Sequence, residues 1–553
     1  MTKTTTPVRL IRSWLNPVTD KTMVVIVVVS SVLACVGAFF LEAHLDFNLW
    51  DEGFLWYGVQ HTLLGEIPIR DFMSYDPGRY YWAAGLMWLL QINGIVAVRA
   101  TTAAFSMLGV ITGTLLVLRG SSDGRTARIG LCAFATVMFL LWLVPRWKGY
   151  DAAISIILIA SLTRLLTRPT VTLFFQHGVV VGVAAILGRN HGLYGIVACL
   201  LVIPILLFAD PKPQWHRFIP AWIGGVTAGY SPMLIGFLMD HRFTAMFWDG
   251  IRFTLFEYKG TNLPLPVPWP WAIHSAGESV SMTAREWFIG SFFVALPALC
   301  IGGALFVFRQ MRHERRIQNP AFVACVATAI PYLNVAFSRA DVAHLAQAIF
   351  PCIIGLIICP IQGSTRTVHR RVVLPLLAIA SLSVTLPLHS GFVVHTQNPD
   401  DWQAIDVRGD SLLVDRFTAA AIGNIKCLAK RYVPPGGSVF AAPVWPGVYT
   451  LLGTKSPVWE IYPLMPRNEA FQQQEINRLR RADPALLFIY DIAVDGRNEL
   501  RYANTHPLVW QFVNTNYRMV PTSRDRTELL VYVPKTTPGQ SATFGAGAVS
   551  ECD

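Results

Sequence analysis

The sequence predicts an α-helical polytopic membrane protein of about eleven transmembrane helices plus interfacial helices, with a small C-terminal extracytoplasmic α/β domain. Hydrophobic residues make up 53% of the chain and charged residues 14%, and the mean hydropathy is +0.44. A chain of this composition is too apolar to be a soluble protein of this length. Largely uncharged runs of the roughly 17–25 residues that a span needs recur between residues 23 and 392. After residue 392 the composition becomes polar and mixed.

The first span, at residues 23–41, sets the orientation. Lys3, Arg9, Arg12 and Lys21 precede it, and basic residues accumulate on the cytoplasmic side of membrane proteins. Residues 1–22 are therefore expected to form a cytoplasmic N-terminus. Because the run exceeds the hydrophobic region of a usual signal peptide, it is expected to remain as an uncleaved anchor.

The segment 80–98 either crosses the membrane or lies along its surface. If Tyr80–Asn93 is an interfacial helix and Val98–Leu118 is the second span, every basic short loop lies in the cytoplasm, whereas a crossing at 80–98 exports several of them. We therefore adopt the interfacial assignment. The predicted span cores are 23–41, 98–118, 129–145, 152–166, 171–187, 192–208, 218–238, 287–308, 320–337, 343–361 and 372–392.

An odd number of spans places the C-terminal domain, residues 393–534, outside the cytoplasm. Its apolar runs Ser438–Ala442, Leu486–Tyr490 and Glu528–Val533 are typical of buried strands, and Asn468–Arg481 has helical spacing of apolar residues. A small α/β layer domain follows from this pattern. Residues 535–553 are dominated by Thr, Pro, Gly, Ser and Ala, which predicts a disordered tail.

The net charge of +11 and the nine cysteines indicate no further function. Positive-inside loops account for the charge, so no nucleic-acid partner is indicated. The cysteines lie mostly in predicted spans, and their spacing suggests neither a metal site nor a disulfide framework. No Walker, Rossmann or nucleophile-elbow motif is present.

Unusual polar residues cluster at the predicted outer ends of the spans. The outer loop 42–97 carries Asp51, Glu52 and Arg79. The later outer turns carry Lys148, Asp151, Arg189, His191, Arg339, Asp341 and His344. Because a charge at the membrane centre costs roughly 2.5–3.5 kcal/mol, charged turns on one face indicate a site. Paired carboxylates near guanidinium groups are suited to deprotonating a hydroxyl while a phosphate is held, as glycosyl transfer from a lipid-phosphate donor requires.

Each of these features also has a structural interpretation. The carboxylate pair equally suits a solvated loop or a helix N-cap. Long basic side chains such as Arg189 and Arg339 also reach toward lipid headgroups. Histidines such as His191 and His344 are more often hydrogen-bonded structural residues than bases or ligands. Lys148 and Asp151 have the charges to pair with each other.

The first outer loop resembles a known family. Trp50-Asp51-Glu52-Gly53, the sequence Leu-Gly-Glu-Ile-Pro at 64–68 and Tyr80-Tyr81-Trp82 are similar to the opening signature of GT-C membrane glycosyltransferases. The greatest similarity is to bacterial relatives of the protein O-mannosyltransferases and of the lipid A aminoarabinose transferases. In that superfamily an Asp or Asp-Glu pair ends the first span and serves the transfer reaction, and interfacial helices follow. The resemblance covers residues 23–208, with the later spans matching only in topology.

The resemblance implies a polyprenyl-phosphate sugar donor, a lipid, glycan or protein acceptor, and transfer with inversion at the outer face of a bacterial inner membrane. Asp51 would be the general base, with Glu52 orienting the acceptor or tuning Asp51. Where many relatives have a His-Pro-Pro-Leu or Lys-Pro-Pro-Leu element, this chain has Tyr-Asp-Pro-Gly-Arg at 75–79, so that Arg79 would take the donor phosphate. The cationic and polar outer residues would bind the donor.

No cofactor is indicated, since no ligand array for a metal is evident, although carboxylates are able to bind a hard cation. Two other classes stay open. A non-enzymatic lipid-glycan transporter or flippase would carry charges along both halves of several spans, and a structural subunit of an envelope-glycan assembly complex would not need Asp51.

Overall fold

The computed structural model describes residues 21–209, 214–273, 279–520 and 528–535. Lys3, Arg9, Arg12 and residues 536–553 of the predicted tail lie outside the described residues. Contacts divide the chain into two compact units. Unit 1 contains residues up to 40 together with 102–235 and 264–389, and unit 2 contains residues 41–101, 236–263 and those from 390 onward.

Helices dominate the apolar region. In chain order they are α1 (Lys21–Glu42), α2 (Asp51–Leu63), α3 (Gly78–Leu90), α4 (Ile95–Gly120), α5 (Arg125–Leu141), α6 (Gly149–Thr167), α7 (Val171–Leu187), α8 (Arg189–Ala209), α9 (Trp215–Met239), α10 (His241–Arg252), α11 (Val280–Glu314), α12 (Pro320–Ser338), α13 (Val342–Ala348), α14 (Phe350–Ile357), α15 (Gly363–Val368), α16 (Leu374–Thr385) and α17 (Ser390–Thr396).

Within the described ranges, eight helical segments are long and apolar enough to cross a membrane: α1, α4, Arg146–Thr167, α8, α9, α11, α12 and Gly363–Leu388. The predicted polytopic membrane fold is confirmed. The total of eleven stays a prediction, because α5 and α7 have only 17 residues each and the predicted span 343–361 is not one continuous helix. In its place α13 and α14 are separated by a break at Ile349. Pro351 explains the break, since it cannot donate to the carbonyl four residues earlier.

The predicted helix at 80–93 is present as α3, which has 13 residues. At about 1.5 Å per residue it is too short to cross a hydrocarbon core of about 30 Å. This length excludes a crossing by α3 itself, and its location at the membrane interface stays a prediction.

Two glycine pairs allow α7 and α9 of unit 1 to touch, a feature that hydropathy does not predict. Gly178 and Gly182 lie on α7, and Gly225 and Gly229 lie on α9. A Cβ atom added at Gly225 would stand 2.1 Å from the carbonyl oxygen of Phe175. The backbones are therefore in direct contact, as small-residue pairs four positions apart permit in membrane helices.

The C-terminal part of unit 2 is an α/β fold. Its helices are α18 (Arg416–Tyr432), α19 (Gly447–Leu452), α20 (Glu469–Ala482), α21 (Tyr502–Thr505) and α22 (Pro507–Asn516). Its strands are β1 (Trp402–Val407), β2 (Asp410–Asp415), β3 (Val439–Ala442), β4 (Leu486–Tyr490), β5 (Tyr517–Val520) and β6 (Leu529–Pro534). One sheet has the order β3-β4-β6-β5, with β3 and β4 parallel and the other pairs antiparallel, and β1 and β2 form a separate hairpin.

The three predicted strands are confirmed as β3, β4 and β6, and the predicted helix is confirmed as α20, where the Asn468 side chain accepts the Phe471 N–H. The strand pattern alone did not reveal β1, β2 or β5. The sheet buries side chains such as Phe440, Leu487 and Ile489 in its core.

Unit 2 also contains loop 42–97. The backbone N–H of Asp46 donates to Leu413 O at 2.8 Å, and the N–H of Leu413 donates to His44 O at 2.8 Å. At the start of α2, a Cβ added at Gly53 would stand 2.7 Å from the Gly447 backbone at the start of α19. Loop 42–97 is therefore packed with the C-terminal α/β fold.

Candidate functional site

The chain turns into α2 through a hydrogen-bonded cap. The side-chain oxygen of Asn48 accepts the backbone N–H groups of Trp50 and Asp51, each at 2.9 Å. Helix α2 then begins at Asp51. The capping acceptor is thus Asn48, and the Asp51 carboxylate is not used to cap the helix.

Glu52 is buried in an ion pair with Arg99, which lies near the start of α4. Arg99 Nε donates to Glu52 Oε1 at 2.7 Å and Arg99 Nη2 donates to Oε2 at 2.9 Å. The Glu52 side chain is 2% exposed and the Arg99 side chain is 3% exposed. Arg99 also donates to the carbonyl oxygens of Ala43 and Asp46, each at 2.7 Å. This bidentate pair therefore holds the chain between α1 and α2 in place.

The sequence pattern did not predict a role for Arg99. Its signal was a lone charge within the first residues of the second predicted span, where an unpaired charge is costly. The position of its partner was not visible in the sequence.

Asp51 has a different environment from its neighbour. Its carboxylate is partly exposed, and Oδ1 accepts a hydrogen bond from the Tyr462 hydroxyl at 3.3 Å. In the part of the chain that the structure describes, no Lys or Arg forms an ion pair with it. Of the two adjacent carboxylates, Asp51 is the one that solvent and a substrate are able to reach.

A run of aromatic contacts in unit 2 connects Asp51 with Arg79. The guanidinium carbon of Arg79 lies 4.7 Å from the centroid of the Tyr75 ring. The Tyr75 ring packs edge-on against Phe54, with centroids 4.9 Å apart, and Phe54 packs against Tyr462 at 5.5 Å. Arg79 itself is buried. Unit 2 thus brings two predicted site residues, Asp51 and Arg79, to the two ends of one contact chain.

Tyr462 lies in the segment that follows α19, and a network of buried charges supports this segment. Arg467 Nε donates to Glu460 Oε1 at 2.6 Å, and His506 Nε2 lies 3.1 Å from Glu460 Oε2. Burial raises the pKa of Glu460, but Arg467 and His506 outweigh it and hold that pKa below its usual range. Burial also raises the pKa of Glu475. In that case the effect of burial exceeds the opposing effect of Arg478, so the pKa lies above its usual value. Ion-paired and buried, Glu460 fixes the segment that carries Tyr462.

In unit 1, the structure brings together Asp151 and His191. His191 Nε2 lies 2.7 Å from Asp151 Oδ1, and His191 Nδ1 lies 2.7 Å from the Tyr332 hydroxyl. All three side chains are buried. Because a carboxylate only accepts, a neutral imidazole here carries its proton on Nε2 and accepts from Tyr332 at Nδ1. Tyr332 lies on α12. Nothing in the sequence singles it out, because several tyrosines occur in the apolar helices.

A second group in unit 1 lies between α12 and α13. Arg339 Nε donates to Asp341 Oδ2 at 2.8 Å, and Asp341 Oδ1 accepts the His344 backbone N–H and lies 2.8 Å from His344 Nδ1. Asp341 thus caps α13. Burial raises the pKa of Asp341, but His344 and Arg339 outweigh it and lower that pKa overall. Lys148 precedes α6 and Arg189 begins α8, and both side chains are partly exposed.

Among the described residues, no cluster of three or more His, Cys, Asp or Glu side chains is arranged to hold a metal ion.

Comparison with solved structures identifies the fold. ArnT from Cupriavidus metallidurans bound to undecaprenyl phosphate aligns with a TM-score of 0.53 at 13% identity, over 93% of this chain and 98% of that chain. The same protein in the apo state aligns with a TM-score of 0.50 at 12% identity, over 93% and 98%. An oligosaccharyltransferase from Archaeoglobus fulgidus, in the apo form, reaches a TM-score of 0.45 at 12% identity, over 94% and 75%, which supports no conclusion about this chain.

No protein-family model matches the sequence, and no curated protein sequence matches it. The similarity is therefore one of fold. The predicted resemblance to GT-C membrane glycosyltransferases is confirmed at that level, and the chain is a multi-pass membrane protein.

Proposed function

We propose that this protein is a membrane glycosyltransferase that moves a sugar from a polyprenyl-phosphate donor to an acceptor on the extracytoplasmic face, with Asp51 as general base. The fold shared with ArnT, whose structure contains undecaprenyl phosphate, supports a polyprenyl-phosphate donor. The observation that carries the proposal is the contrast between two adjacent carboxylates. Glu52 is neutralised by Arg99, whereas Asp51 is partly exposed and hydrogen-bonded to a phenol.

This contrast suits a general base. A base must be unprotonated, accessible and not consumed by a cation, and a positioned base contributes about 10²–10⁴ in rate. The Asp51 carboxylate would take the proton of the acceptor hydroxyl or amine. The acceptor oxygen or nitrogen would attack the anomeric carbon from the face opposite the phosphate, the sugar–phosphate bond would break, and the configuration would invert.

We propose that Glu52 acts through Arg99. Because its carboxylate is enclosed, it is not available to an acceptor, and the ion pair instead holds the turn from which Asp51 projects. Of the two roles expected for Glu52, support of Asp51 is the one that this geometry favours.

Positive charge for the departing lipid phosphate would come from arginine and lysine side chains, so the proposal requires no metal ion. Arg79, Lys148, Arg189 and Arg339 are the candidates, since cations aimed at developing negative charge lower the transition-state energy. The remaining polar residues, Asp151, His191, Asp341 and His344, would bind or orient the donor. In the structure, Asp151 with His191 and Asp341 with Arg339 and His344 form hydrogen-bonded groups that would keep these side chains ordered.

We further propose that the N-terminus is cytoplasmic, that the C-terminal α/β fold is extracytoplasmic and that the membrane is the bacterial inner membrane. The positive-inside pattern supports this orientation.

The test is transfer of radiolabel from a panel of polyprenyl-phosphate sugars. Membranes that contain wild-type protein, Asp51→Asn or Asp400→Asn would be incubated with each donor, and the lipid, glycan and protein fractions would be extracted. We expect wild type to transfer label and Asp51→Asn to lose about 10²-fold or more of the rate, since asparagine cannot accept the proton.

Asp400→Asn is the matched control, because Asp400 is an exposed carboxylate in the same unit. It should transfer label at the wild-type rate. Equal transfer by Asp51→Asn at equal expression would remove Asp51 as the base. Failure of wild type across a broad donor and acceptor panel would favour a transporter or a structural subunit instead.

A further inference from the structure

The segment between α19 and α20 is held on the first outer loop by backbone and side-chain hydrogen bonds, all within unit 2. The Trp459 indole N–H donates to Ile69 O at 2.9 Å, and the Met73 N–H donates to Trp459 O at 2.8 Å. The Ser456 N–H donates to the Tyr57 hydroxyl at 3.2 Å. The loop that carries Asp51 and the segment that carries Tyr462 are therefore one hydrogen-bonded structure.

The same segment is anchored on its other side to the α/β fold. The backbone N–H groups of Trp459 and Glu460 donate to Glu475 Oε2 at 3.0 and 3.3 Å. Arg467 stacks on Phe253, with its guanidinium carbon 3.6 Å from the ring centroid, while it pairs with Glu460. A backbone held from both sides places its side chains reproducibly, which is the requirement for a group that orients another.

Tyr462 is the residue that this support presents to Asp51. It is mostly buried, and its ring packs on Phe54 of α2 while its hydroxyl donates to Asp51 Oδ1. Asp51 and Tyr462 are far apart in the sequence.

We propose that Tyr462 is a positioning residue for the transfer reaction, which rests on the function proposed above: its hydroxyl orients the Asp51 carboxylate so that the other oxygen faces the acceptor. The hydrogen bond to Oδ1 leaves Oδ2 to accept the proton. A carboxylate held in one rotamer is pre-organised for proton transfer, and a freely rotating one is not. The C-terminal fold thereby contributes a side chain to the site.

The experiment compares the full-length protein as wild type, Tyr462→Phe, Tyr462→His, Asp51→Asn, Asp51→Ala and the double variant Asp51→Ala/Tyr462→Phe. Phenylalanine keeps the ring against Phe54 and removes only the hydroxyl. We expect Tyr462→Phe to lower kcat about tenfold, as for loss of a hydrogen bond to a charged group, with the donor KM changed by less than about twofold. Tyr462→His keeps an N–H donor and should recover part of kcat.

A second readout does not depend on turnover. In thermal unfolding of the purified proteins, Tyr462→Phe should lower Tm more in the wild-type background than in the Asp51→Ala background, because alanine has no oxygen to accept the Tyr462 hydroxyl and the two residues share one interaction. Tyr449→Phe is the matched control, since its hydroxyl bonds the Ala441 backbone in the same unit and does not contact Asp51. It should lower Tm and leave kcat within about twofold of wild type.

Each outcome decides a separate question. If Asp51→Asn loses transfer but Tyr462→Phe keeps the wild-type kcat, the positioning role is overturned and the proposed function stands. Additive effects on Tm would also overturn it, because Tyr462 would then not act through Asp51. If Asp51→Asn transfers at the wild-type rate, the general-base assignment fails, and the role of Tyr462 fails with it.

Discussion

Two neighbouring carboxylates acquire different roles because of their partners. Residues adjacent on a helix project about 100° apart, so Asp51 and Glu52 cannot face the same surface. Glu52 faces Arg99, and Asp51 faces Tyr462. The Asp-Glu pair was visible in the sequence, but the division of labour within it depends on two residues that are distant along the chain.

The Glu52–Arg99 pair is expected to be structural. Glu52→Gln leaves the buried Arg99 charge uncompensated, and the loss of one partner of a buried pair costs about 3–5 kcal/mol. We expect this loss in the free energy of unfolding, measured by denaturant titration in detergent.

The neighbouring substitution Asp51→Asn provides the control, because Asp51 is partly exposed, and it should change stability by less than about 1 kcal/mol. Replacement of both partners in Glu52→Leu/Arg99→Leu should recover much of the loss, since no unpaired charge remains. A Glu52→Gln protein as stable as wild type would contradict the structural role.

Helix packing in unit 1 depends on where the side chains are smallest. The glycines of α7 and α9 bring two backbones into contact, and Pro351 divides a predicted span into α13 and α14. Hydropathy responds to neither feature, because it averages over a window. Hydropathy therefore gives the approximate positions of the helices, whereas individual glycine and proline residues determine how closely the helices pack and where they break.

Substitution of adjacent glycines on α9 tests this packing. A Cβ at Gly225 meets the Phe175 carbonyl oxygen, whereas a Cβ at Gly224 meets nothing within 4 Å. We expect Gly225→Ala to destabilise the protein by about 1–3 kcal/mol through overpacking. Gly224→Ala should be neutral or stabilising by up to about 1 kcal/mol, because alanine is the better helix former.

Thermal unfolding of both variants in one detergent would measure the difference. The opposite signs are the critical result, since a general intolerance of α9 to substitution would lower Tm in both variants. Equal Tm values would contradict the close approach of α7 and α9.

At the scale of the whole molecule, topology determines which polar turns are able to act together. The chain crosses the membrane several times, and unit 2 is assembled from three separate stretches of sequence. Its α/β fold has a confirmed sheet, but the side of the membrane that it occupies is a matter of charge distribution across many loops.

Fusions in bacterial cells would test this orientation. Alkaline phosphatase fused after Lys535 should be active and green fluorescent protein fused there should be dark, because the first requires an oxidising compartment and the second folds in the cytoplasm. The same reporters fused after Arg316 should give the reverse result, since that basic loop is predicted to be cytoplasmic. Active phosphatase at Arg316 would refute the predicted topology.

The amino-acid sequence by itself determined the membrane class, most span positions, three strands and one helix of the C-terminal fold, and the loop that contains Asp51. These features depend on composition and on short-range periodicity, which are local properties of the chain. The GT-C resemblance also rested on three short segments close together in the sequence, between Trp50 and Trp82.

Only the tertiary structure decided which groups meet. Arg99 reaches Glu52, Tyr462 reaches Asp51, and Tyr332 reaches His191 across long stretches of sequence. Loop 42–97 belongs with the C-terminal fold for the same reason. Hydrogen bonds and ion pairs act over about 3–4 Å in space, whatever the separation along the chain. The sequence shows which ionisable and hydrogen-bonding side chains are present, and the fold determines which of them are in contact.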